Sequence, residues 1–169
     1  MRVYGVQFDM AWEDKAANCR RVERMLSAAD PAHGSLIVLP EMFATGFSMA
    51  AATIAEPPGG ATEEFLGGLA RRYRAYVVGG VAVHCDDGRP FNQAVAFGPD
   101  GVERARYSKI HPFSLCDEHL HFAAGQQVAA FACGEFVATP FVCYDLRFPE
   151  LFRAALRHNA TLFLVIANW

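Results

Sequence analysis

The sequence predicts a single α/β domain in which strands and helices alternate along the chain. Short runs rich in Val, Ile, Phe and Tyr alternate with segments of helical periodicity. The 169 residues are 53% hydrophobic and 20% charged, which is the balance of one compact domain with a substantial core. A turn at 98–101 joins two of the expected strands as a hairpin, so we expect mixed rather than purely parallel sheets.

The first half of the chain contains two predicted helices and three predicted strands. Apolar residues recur at helical spacing in Lys15–Ala29, and Asp30-Pro31 ends that helix. Thr62 is the expected N-cap of the second helix, Glu64–Tyr76. The three strands are Val3–Phe8, Leu36–Leu39 and Tyr76–His84.

The second half begins with the hairpin, formed by predicted strands Gln93–Phe97 and Val102–Tyr107. A long irregular stretch follows, from Ser108 to Gly125. The remaining predicted elements are the strand Phe136–Val142, the helix Glu150–His158 and the strand Leu162–Ile166.

Charge and hydropathy exclude several classes of partner. The formal net charge is −3, without long runs of one sign, so we expect neither nucleic acid nor an anionic membrane as a partner. The apolar stretch Leu162–Ala167 is far shorter than the ~20 residues of a membrane helix. The N-terminal residues lack the apolar core of a usual secretory signal, so we expect a cytoplasmic protein.

Cysteine and histidine spacing does not predict a metal centre. The chain has 5 cysteines, and no Cys-x-x-Cys pair occurs. This pattern is neither a disulfide framework nor a zinc ribbon, and we expect mostly reduced, partly buried thiols. His111, His119 and His121 raise the alternatives of a metal site or a Cys-His enzyme, but no partner spacing completes a known ligand set.

Two charged residues follow predicted strands at the points where each strand ends. Glu41 comes after Leu36–Leu39 and Pro40, at the kind of strand end where open α/β sheets bind ligands. Lys109 follows the second strand of the hairpin, and an ammonium beside a thiol would favour the thiolate and stabilise an oxyanion. Taken singly, each residue has a simpler interpretation, an exposed loop glutamate and a solvated lysine.

Cys143 occupies a predicted strand-to-helix turn, between Phe136–Val142 and a helix that Pro149 can open. Such a turn exposes a nucleophile and directs the following backbone N–H groups into the same space. The Gly-x-Ser-x-Gly pattern of the α/β-hydrolases is absent from the sequence. A free thiol is only about 3% ionised at pH 7, so this cysteine needs a base or a positive neighbour.

Together these residues resemble the catalytic set of the nitrilase superfamily, the carbon–nitrogen hydrolases. The matching stretches are Leu39-Pro40-Glu41-Met42-Phe43, Tyr107-Ser108-Lys109-Ile110-His111 and Val142-Cys143-Tyr144-Asp145-Leu146-Arg147-Phe148-Pro149-Glu150-Leu151. Gly5-Val6-Gln7, Asp117-Glu118-His119 and Ala167-Asn168-Trp169 agree as well, so the resemblance covers essentially the whole chain.

The resemblance implies a role for each matching residue. Glu41 is the expected general base, Lys109 the oxyanion stabiliser and Cys143 the nucleophile. The backbone N–H of Tyr144 completes the oxyanion hole, and Glu118 matches the second glutamate that positions the substrate or the base. Asp145 and Arg147 are expected to shape the turn after the thiol. The family works without a metal or cofactor, and we expect none.

The resemblance also implies a fold and an activity. Its fold is a four-layer α-β-β-α sandwich, and its omega-amidase branch, which the three motifs resemble most, hydrolyses 2-oxoglutaramate or 2-oxosuccinamate to a 2-oxo dicarboxylic acid and ammonia. Other amidases and carbamoyl-amine hydrolases share the catalytic set and stay open as alternatives. A non-catalytic remnant or interaction subunit is a further alternative. A flavodoxin-like nucleotide binder fits less well, because no Gly-rich loop follows the first strand.

Family domains extend beyond an Ala-Asn-Trp sequence such as Ala167-Asn168-Trp169. We therefore expect residues 1–169 to form one carbon–nitrogen hydrolase domain that is incomplete at its C-terminus, with only the N-terminal part of the sandwich. The resemblance also implies a homo-oligomer, a dimer or higher, and a small amide as the other partner.

Overall fold

The computed structural model describes residues 1–85 and 88–169, in which strands and helices alternate as predicted. The strands are β1 (Val3–Gly5), β2 (Leu36–Val38), β3 (Tyr76–Val83), β4 (Phe91–Phe97), β5 (Glu103–Ser108), β6 (Phe131–Cys133), β7 (Phe136–Val142) and β8 (Leu162–Ile166). The α-helices are α1 (Lys15–Ala29), α2 (Ala51–Ile54), α3 (Ala61–Tyr73), α4 (Glu118–His121) and α5 (Pro149–Leu156). Ser114–Cys116 and Cys143–Arg147 form short 3₁₀ helices.

Five strands form a mixed sheet in the order β1-β2-β3-β4-β5. The pairs β1/β2 and β2/β3 are parallel, and the pairs β3/β4 and β4/β5 are antiparallel. The predicted hairpin is therefore confirmed, with residues 98–101 connecting β4 to β5. A second sheet has the order β6-β7-β8, in which β7 is antiparallel to β6 and parallel to β8.

Side chains of the five-stranded sheet alternate between two hydrophobic cores, as the period of two along a strand requires. Ile37, Val77 and Val95 pack with α1 and α3 on one face of the sheet. Leu36, Val78 and Ala94 belong to the other core, which they share with the second sheet. Neighbouring residues of the same strand thus hold helices on one side and a sheet on the other.

Helix α5 packs against the second sheet through an aromatic cluster. The ring centroid of Phe152 lies 4.6 Å from that of Phe141 in β7 and 5.2 Å from that of Phe163 in β8. The elements therefore stack as helices, sheet, sheet and helix. All four layers of the expected α-β-β-α sandwich are represented, the second sheet by three strands.

Three elements have the predicted bounds, namely α1, β7 and β8. Helix α1 begins where the Asp14 side chain accepts a hydrogen bond from the Ala17 backbone N–H, and it ends at Asp30 in a left-handed conformation. Val22 and Leu26 bury its apolar face, which explains why periodicity alone located the helix.

The prediction for α3 is wrong by three residues at each end, since the helix spans Ala61–Tyr73. Gly60, not Thr62, is the N-cap residue. Thr62 lies within the first turn, where its backbone N–H and its hydroxyl both donate to the Glu56 carboxylate. A carboxylate from the preceding loop therefore satisfies the helix N-terminus in place of the expected threonine cap.

Several other strands and helices begin or end at residues that differ from the prediction. The strand β1 ends at Gly5 rather than Phe8, β4 begins two residues earlier than predicted, and α5 spans Pro149–Leu156. The sequence does not predict α2, α4 or β6, because elements of three or four residues are too short to show a periodic pattern. Helix α4 lies within the stretch Ser108–Gly125, which is predicted to be irregular. Within the described residues, no helix combines the length and apolar character needed to cross a membrane.

A glycine in β3 lets the chain after β2 pass very close to the sheet. A Cβ atom at Gly80 would lie 2.4 Å from the Met42 backbone nitrogen and 2.5 Å from the Glu41 Cα. The Gly80 backbone N–H also donates to the Pro40 carbonyl at 3.0 Å. Met42 itself has a φ of 45°, so the chain turns sharply at this contact. The position of Glu41 therefore requires a residue without a side chain, a glycine, at position 80.

Substitution Gly80→Ala should destabilise the fold, because the new methyl group meets backbone atoms that cannot rotate away. We expect the free energy of unfolding to fall by about 1–3 kcal/mol, the usual cost of overpacking. Gly5→Ala is the matched control, since nothing lies within 4 Å of a Cβ atom on that strand residue. Urea denaturation followed by circular dichroism compares the two variants, and equal stabilities would contradict the close approach.

Candidate active site

Glu41 lies directly after β2 and is completely buried. Its Oε1 accepts hydrogen bonds from the Lys109 Nζ at 2.8 Å and from the Asn92 Nδ2 at 2.7 Å. Its Oε2 accepts the Asn168 backbone N–H, after β8, at 3.1 Å. The simpler interpretation of an exposed loop glutamate is therefore wrong.

Lys109 follows β5, and only 1% of its surface is exposed. Its Nζ donates to Glu41 Oε1 and to Glu118 Oε2, both at 2.8 Å. The Phe47 ring covers the ammonium, with its centroid 5.2 Å from Nζ. The alternative of a solvated surface lysine is likewise excluded.

Glu118, at the start of α4, is the second buried carboxylate of the site. Its Oε2 accepts the Lys109 ammonium and, at 2.6 Å, the Phe113 backbone N–H. Its Oε1 accepts the Asn92 Nδ2 at 2.8 Å. The structure thus places this residue beside Lys109, where the sequence resemblance locates it.

Cys143 lies between β7 and α5 in a strained turn. Its φ is 50°, a left-handed conformation that a non-glycine residue adopts only when the surroundings hold it there. The thiol belongs to a largely buried residue, 7% exposed, and the Trp169 Nε1 donates to its Sγ at 2.8 Å. The sharp strand-to-helix turn that the sequence predicts is therefore present.

The thiol of Cys143 is difficult to ionise. Burial raises its pKa to about 11, and the charge of Glu41 adds to the rise, while Lys109 and the indole of Trp169 oppose it. The expected influence of Lys109 has the right sign, but burial outweighs it. At neutral pH the thiol therefore keeps its proton and requires a base to become a nucleophile.

The charges around Lys109 favour its protonated form. Burial disfavours the ammonium, but the charges of Glu41 and Glu118 and their hydrogen bonds outweigh that effect, so the Lys109 pKa stands above its ordinary value. Burial raises the pKa of Glu41 and the charge of Glu118 contributes to the rise, while Lys109 and Asn92 oppose it. A carboxyl group with a raised pKa is a suitable proton acceptor near neutral pH.

A cavity of about 350 Å³ opens onto the Cys143 thiol. Its aromatic walls are Phe47, Phe113, Tyr144 and Trp169. The remaining lining residues, besides Cys143 itself, are Cys116, Arg147 and Asn168. A pocket of this size, mostly apolar with one guanidinium, fits a small substrate that carries one negative group.

Sequence reasoning did not identify Asn92, nor Phe47 and Phe113 among the cavity walls. The predicted strand begins at Gln93 and therefore excludes Asn92, although a polar residue inside a buried strand is an available signal. Phe47 and Phe113 lie in loops, where an aromatic residue gives no indication of the pocket it lines. Among the described residues, no three His, Cys, Asp or Glu side chains converge as metal ligands do.

The sequence of residues 2–168 matches the family model described as carbon-nitrogen hydrolase. The chain belongs to the carbon–nitrogen hydrolase family. A relative in Yersinia enterocolitica, the omega-amidase YafV, is 36% identical over 97% of this chain and 61% of its own length. The 2-oxoglutaramate amidase of Bacillus subtilis is 27% identical over 97% of this chain and 63% of its own length. The chain thus spans about three fifths of the length of these curated relatives.

A solved structure of this family has the same fold. It is a CN-hydrolase superfamily protein from Xanthomonas campestris with an arsenic adduct in its active site, and it is 33% identical with a TM-score of 0.91. The match covers 99% of the present chain and 64% of the other. The nitrilase-superfamily fold expected from the sequence is therefore confirmed.

In this carbon–nitrogen hydrolase chain, a buried aspartate fixes the turn that carries the thiol. Asp145 accepts hydrogen bonds from the Tyr107 hydroxyl at 2.8 Å, the His111 backbone N–H at 3.0 Å and the Val142 backbone N–H at 3.3 Å. Its carboxylate also lies 3.0 Å from the His111 Nδ1. Asp145 thus shapes the turn through backbone hydrogen bonds, as expected, whereas Arg147 is exposed and lines the cavity.

The contact between Asp145 and Tyr107 joins the two sheets, because Tyr107 belongs to β5 and Asp145 to the turn after β7. Tyr107→Phe should therefore lower the free energy of unfolding by about 1–3 kcal/mol, the cost of removing a donor from a buried acceptor. Urea denaturation provides the measurement.

Tyr73→Phe is the matched control for this prediction. The Tyr73 hydroxyl is also buried, but within the described residues it has no hydrogen-bond partner. Its removal should leave the stability unchanged or slightly higher. A loss at Tyr73 as large as the loss at Tyr107 would contradict the role of the contact with Asp145.

Proposed function

We propose that this protein is an amidase that hydrolyses the amide of a small 2-oxo dicarboxylic acid monoamide, such as 2-oxoglutaramate, through a cysteine thioester. One observation carries the proposal: the Cys143 thiol opens onto a cavity and lies close to the buried ion pair of the Glu41 carboxylate and the Lys109 ammonium. Nucleophile, base and positive charge are the three groups that acyl transfer from an amide requires.

The first half of the reaction forms the acyl-enzyme. Glu41 removes the thiol proton as the Cys143 Sγ bonds to the amide carbon, and the carbonyl electrons move to the oxygen. The tetrahedral intermediate then collapses with cleavage of the carbon–nitrogen bond. Glu41 returns its proton to the nitrogen, ammonia leaves, and a thioester remains on Cys143.

Lys109 stabilises the negative oxygen of the intermediate. An ammonium has three N–H donors, and two of those on Lys109 are engaged by Glu41 and Glu118, so one is available to the oxyanion. The backbone N–H of Tyr144, in the turn after the thiol, is the second donor. Because two carboxylates hold Lys109 in its charged form, its donor is present before the substrate arrives.

The second half regenerates the thiol. Water attacks the thioester carbon while Glu41 accepts a proton from the water. Collapse of this intermediate breaks the carbon–sulfur bond, and the proton passes from Glu41 to the departing Cys143 sulfur. One carboxyl group therefore acts as a base and an acid in turn in each half, which its buried position and raised pKa permit.

Arg147 supports the choice of a substrate with a distal carboxylate. Among the described residues that line the cavity it supplies the only guanidinium, and a planar guanidinium can bind a carboxylate through two parallel hydrogen bonds. One relative is named omega-amidase, and another is named 2-oxoglutaramate amidase, whose name states a substrate of this class. Other amidases or carbamoyl-amine hydrolases are the alternative, and they would use the same catalytic residues without this contact.

The purified chain should release ammonia from 2-oxoglutaramate, and Cys143→Ala should reduce the rate by at least about a thousandfold, since no other group replaces the covalent nucleophile. Cys133→Ala is the control, because Cys133 is a buried thiol of β6 outside the cavity. A coupled assay for ammonia gives the rates. Equal rates for the two variants, or no release by the unmodified chain, would contradict the proposed function.

Arg147→Gln should raise KM for 2-oxoglutaramate about tenfold or more, because a charged hydrogen-bond partner of the distal carboxylate is lost. The rate with butyramide, which has no such carboxylate, should change less than about twofold by the same argument. Arg157→Gln, in an exposed arginine after α5, is the control. An equal effect of Arg147→Gln on both amides would favour an amidase of other specificity.

A further inference from the structure

The buried charges of the site do not balance. Two carboxylates, Glu41 and Glu118, share a single ammonium on Lys109, and the side chains of all three are completely inaccessible to solvent. Two like charges close together in a buried site disfavour each other, so one of the carboxylates tends to take up a proton. The general base of the proposed mechanism must nevertheless be ionised when the substrate binds.

Asn92 provides a neutral link between the same two carboxylates. Its Nδ2 lies 2.7 Å from Glu41 Oε1 and 2.8 Å from Glu118 Oε1. An amide nitrogen carries two hydrogens, so it donates to both oxygens at once. Hydrogen bonds donated to a carboxylate favour its charged form, and this donor brings no further charge into the site.

The orientation of the Asn92 amide is determined by the carboxylates. Its Oδ1 is buried and has no hydrogen-bond partner among the described residues. A flipped amide would direct this oxygen at two carboxylate oxygens, which is repulsive. An unsatisfied buried oxygen is a cost to stability, so the residue serves the two carboxylates rather than the strand that carries it.

The backbone holds Asn92 in place beside the ammonium. Its carbonyl accepts the Lys109 backbone N–H at 2.9 Å, and it pairs with Ala82 of β3 in the register of the sheet. The side chain thus projects from β4, which lies between β3 and β5 in the sheet. Glu41, from the loop after β2, and Glu118, from α4, both contact it.

We propose that Asn92 is a positioning residue, whose amide nitrogen links the Glu41 and Glu118 carboxylates beside Lys109 and keeps Glu41 ready to accept the Cys143 proton. The proposal rests on the proposed function for its kinetic test. The titratable and charged groups that face Glu41 are Lys109, Glu118 and Cys143, and all of them remain in an Asn92 variant.

Asn92→Leu, which keeps the number and branching of the side-chain heavy atoms, removes the donor. The pKa of Glu41 should then rise further, so the acidic limb of the pH profile of kcat/KM for 2-oxoglutaramate should move up by about one unit. Well below the limb the rate should fall about tenfold, and above it the rate should recover to within about threefold of the original value. A residue that merely supports the fold would lower the rate equally at every pH.

A second readout needs no amide substrate. When Glu41 holds a proton more tightly, the proton that it shares with Cys143 moves toward the carboxylate, and the thiolate becomes more populated. Alkylation of Cys143 by iodoacetamide at pH 8 should therefore be several times faster in Asn92→Leu. The buried Cys133 reports on the fold, because general loosening of the protein would accelerate its alkylation as well.

Gln93→Leu is the matched control. It removes a side-chain amide from the next residue of β4, where Gln93 bonds to Ser108 and Arg106 rather than to the carboxylates. The acidic limb of its pH profile and the alkylation rate of its Cys143 should therefore stay unchanged. Asn92→Asp, which replaces two N–H donors with at most one O–H donor, should shift the limb in the same direction and provides the test if the leucine variant does not fold.

The outcomes separate the two proposals. A chain that releases no ammonia contradicts the amidase, while faster alkylation of Cys143 in Asn92→Leu alone still supports the positioning role. An acidic limb that stays in place, or alkylation of Cys143 at an unchanged rate, overturns the role of Asn92 whatever the substrate.

Discussion

The ammonium of Lys109 between two buried carboxylates is the interaction on which the site depends. It brings together the end of β5, the loop after β2 and the helix α4, since Glu41 and Glu118 each lie 2.8 Å from the same nitrogen. Charges inside a protein are tolerated only when they are paired and hydrogen-bonded. The backbone around them must therefore be placed accurately, and the close contact at Gly80 is one result of that requirement.

The reactive thiol comes from the other half of the structure. Cys143 follows a strand of the second sheet, whereas Glu41 and Lys109 follow strands of the first. The hydrogen bond from Tyr107 to Asp145 connects the two sheets next to this turn. Asp145 lies two residues after Cys143, and its contacts help to hold Cys143 in its left-handed conformation. The packing of one sheet on the other thus determines the distance between nucleophile and base.

Individual elements differ in how well their sequences predict them. Helix α1 has a full amphipathic face, and β7 and β8 are apolar runs between clear breaks, so local pattern sufficed for all three. The start of α3 was mispredicted because Glu56, a residue of the preceding loop, caps it. The residues Glu41, Lys109, Glu118 and Cys143 were found through motifs, and Asn92 was missed because a single polar residue in a strand has no distinctive spacing.

The α/β class, the order of most elements, the family and the residue types of the site follow from the sequence alone, because periodicity and short motifs are local properties of the chain. Folding is what places Lys109 between two carboxylates, Asn92 in contact with both of them and Arg147 at the cavity. These contacts join residues that are far apart in the chain. Burial and the neighbouring charges then shift the pKa values of Glu41 and Lys109. Neither property can be read from neighbours in the sequence.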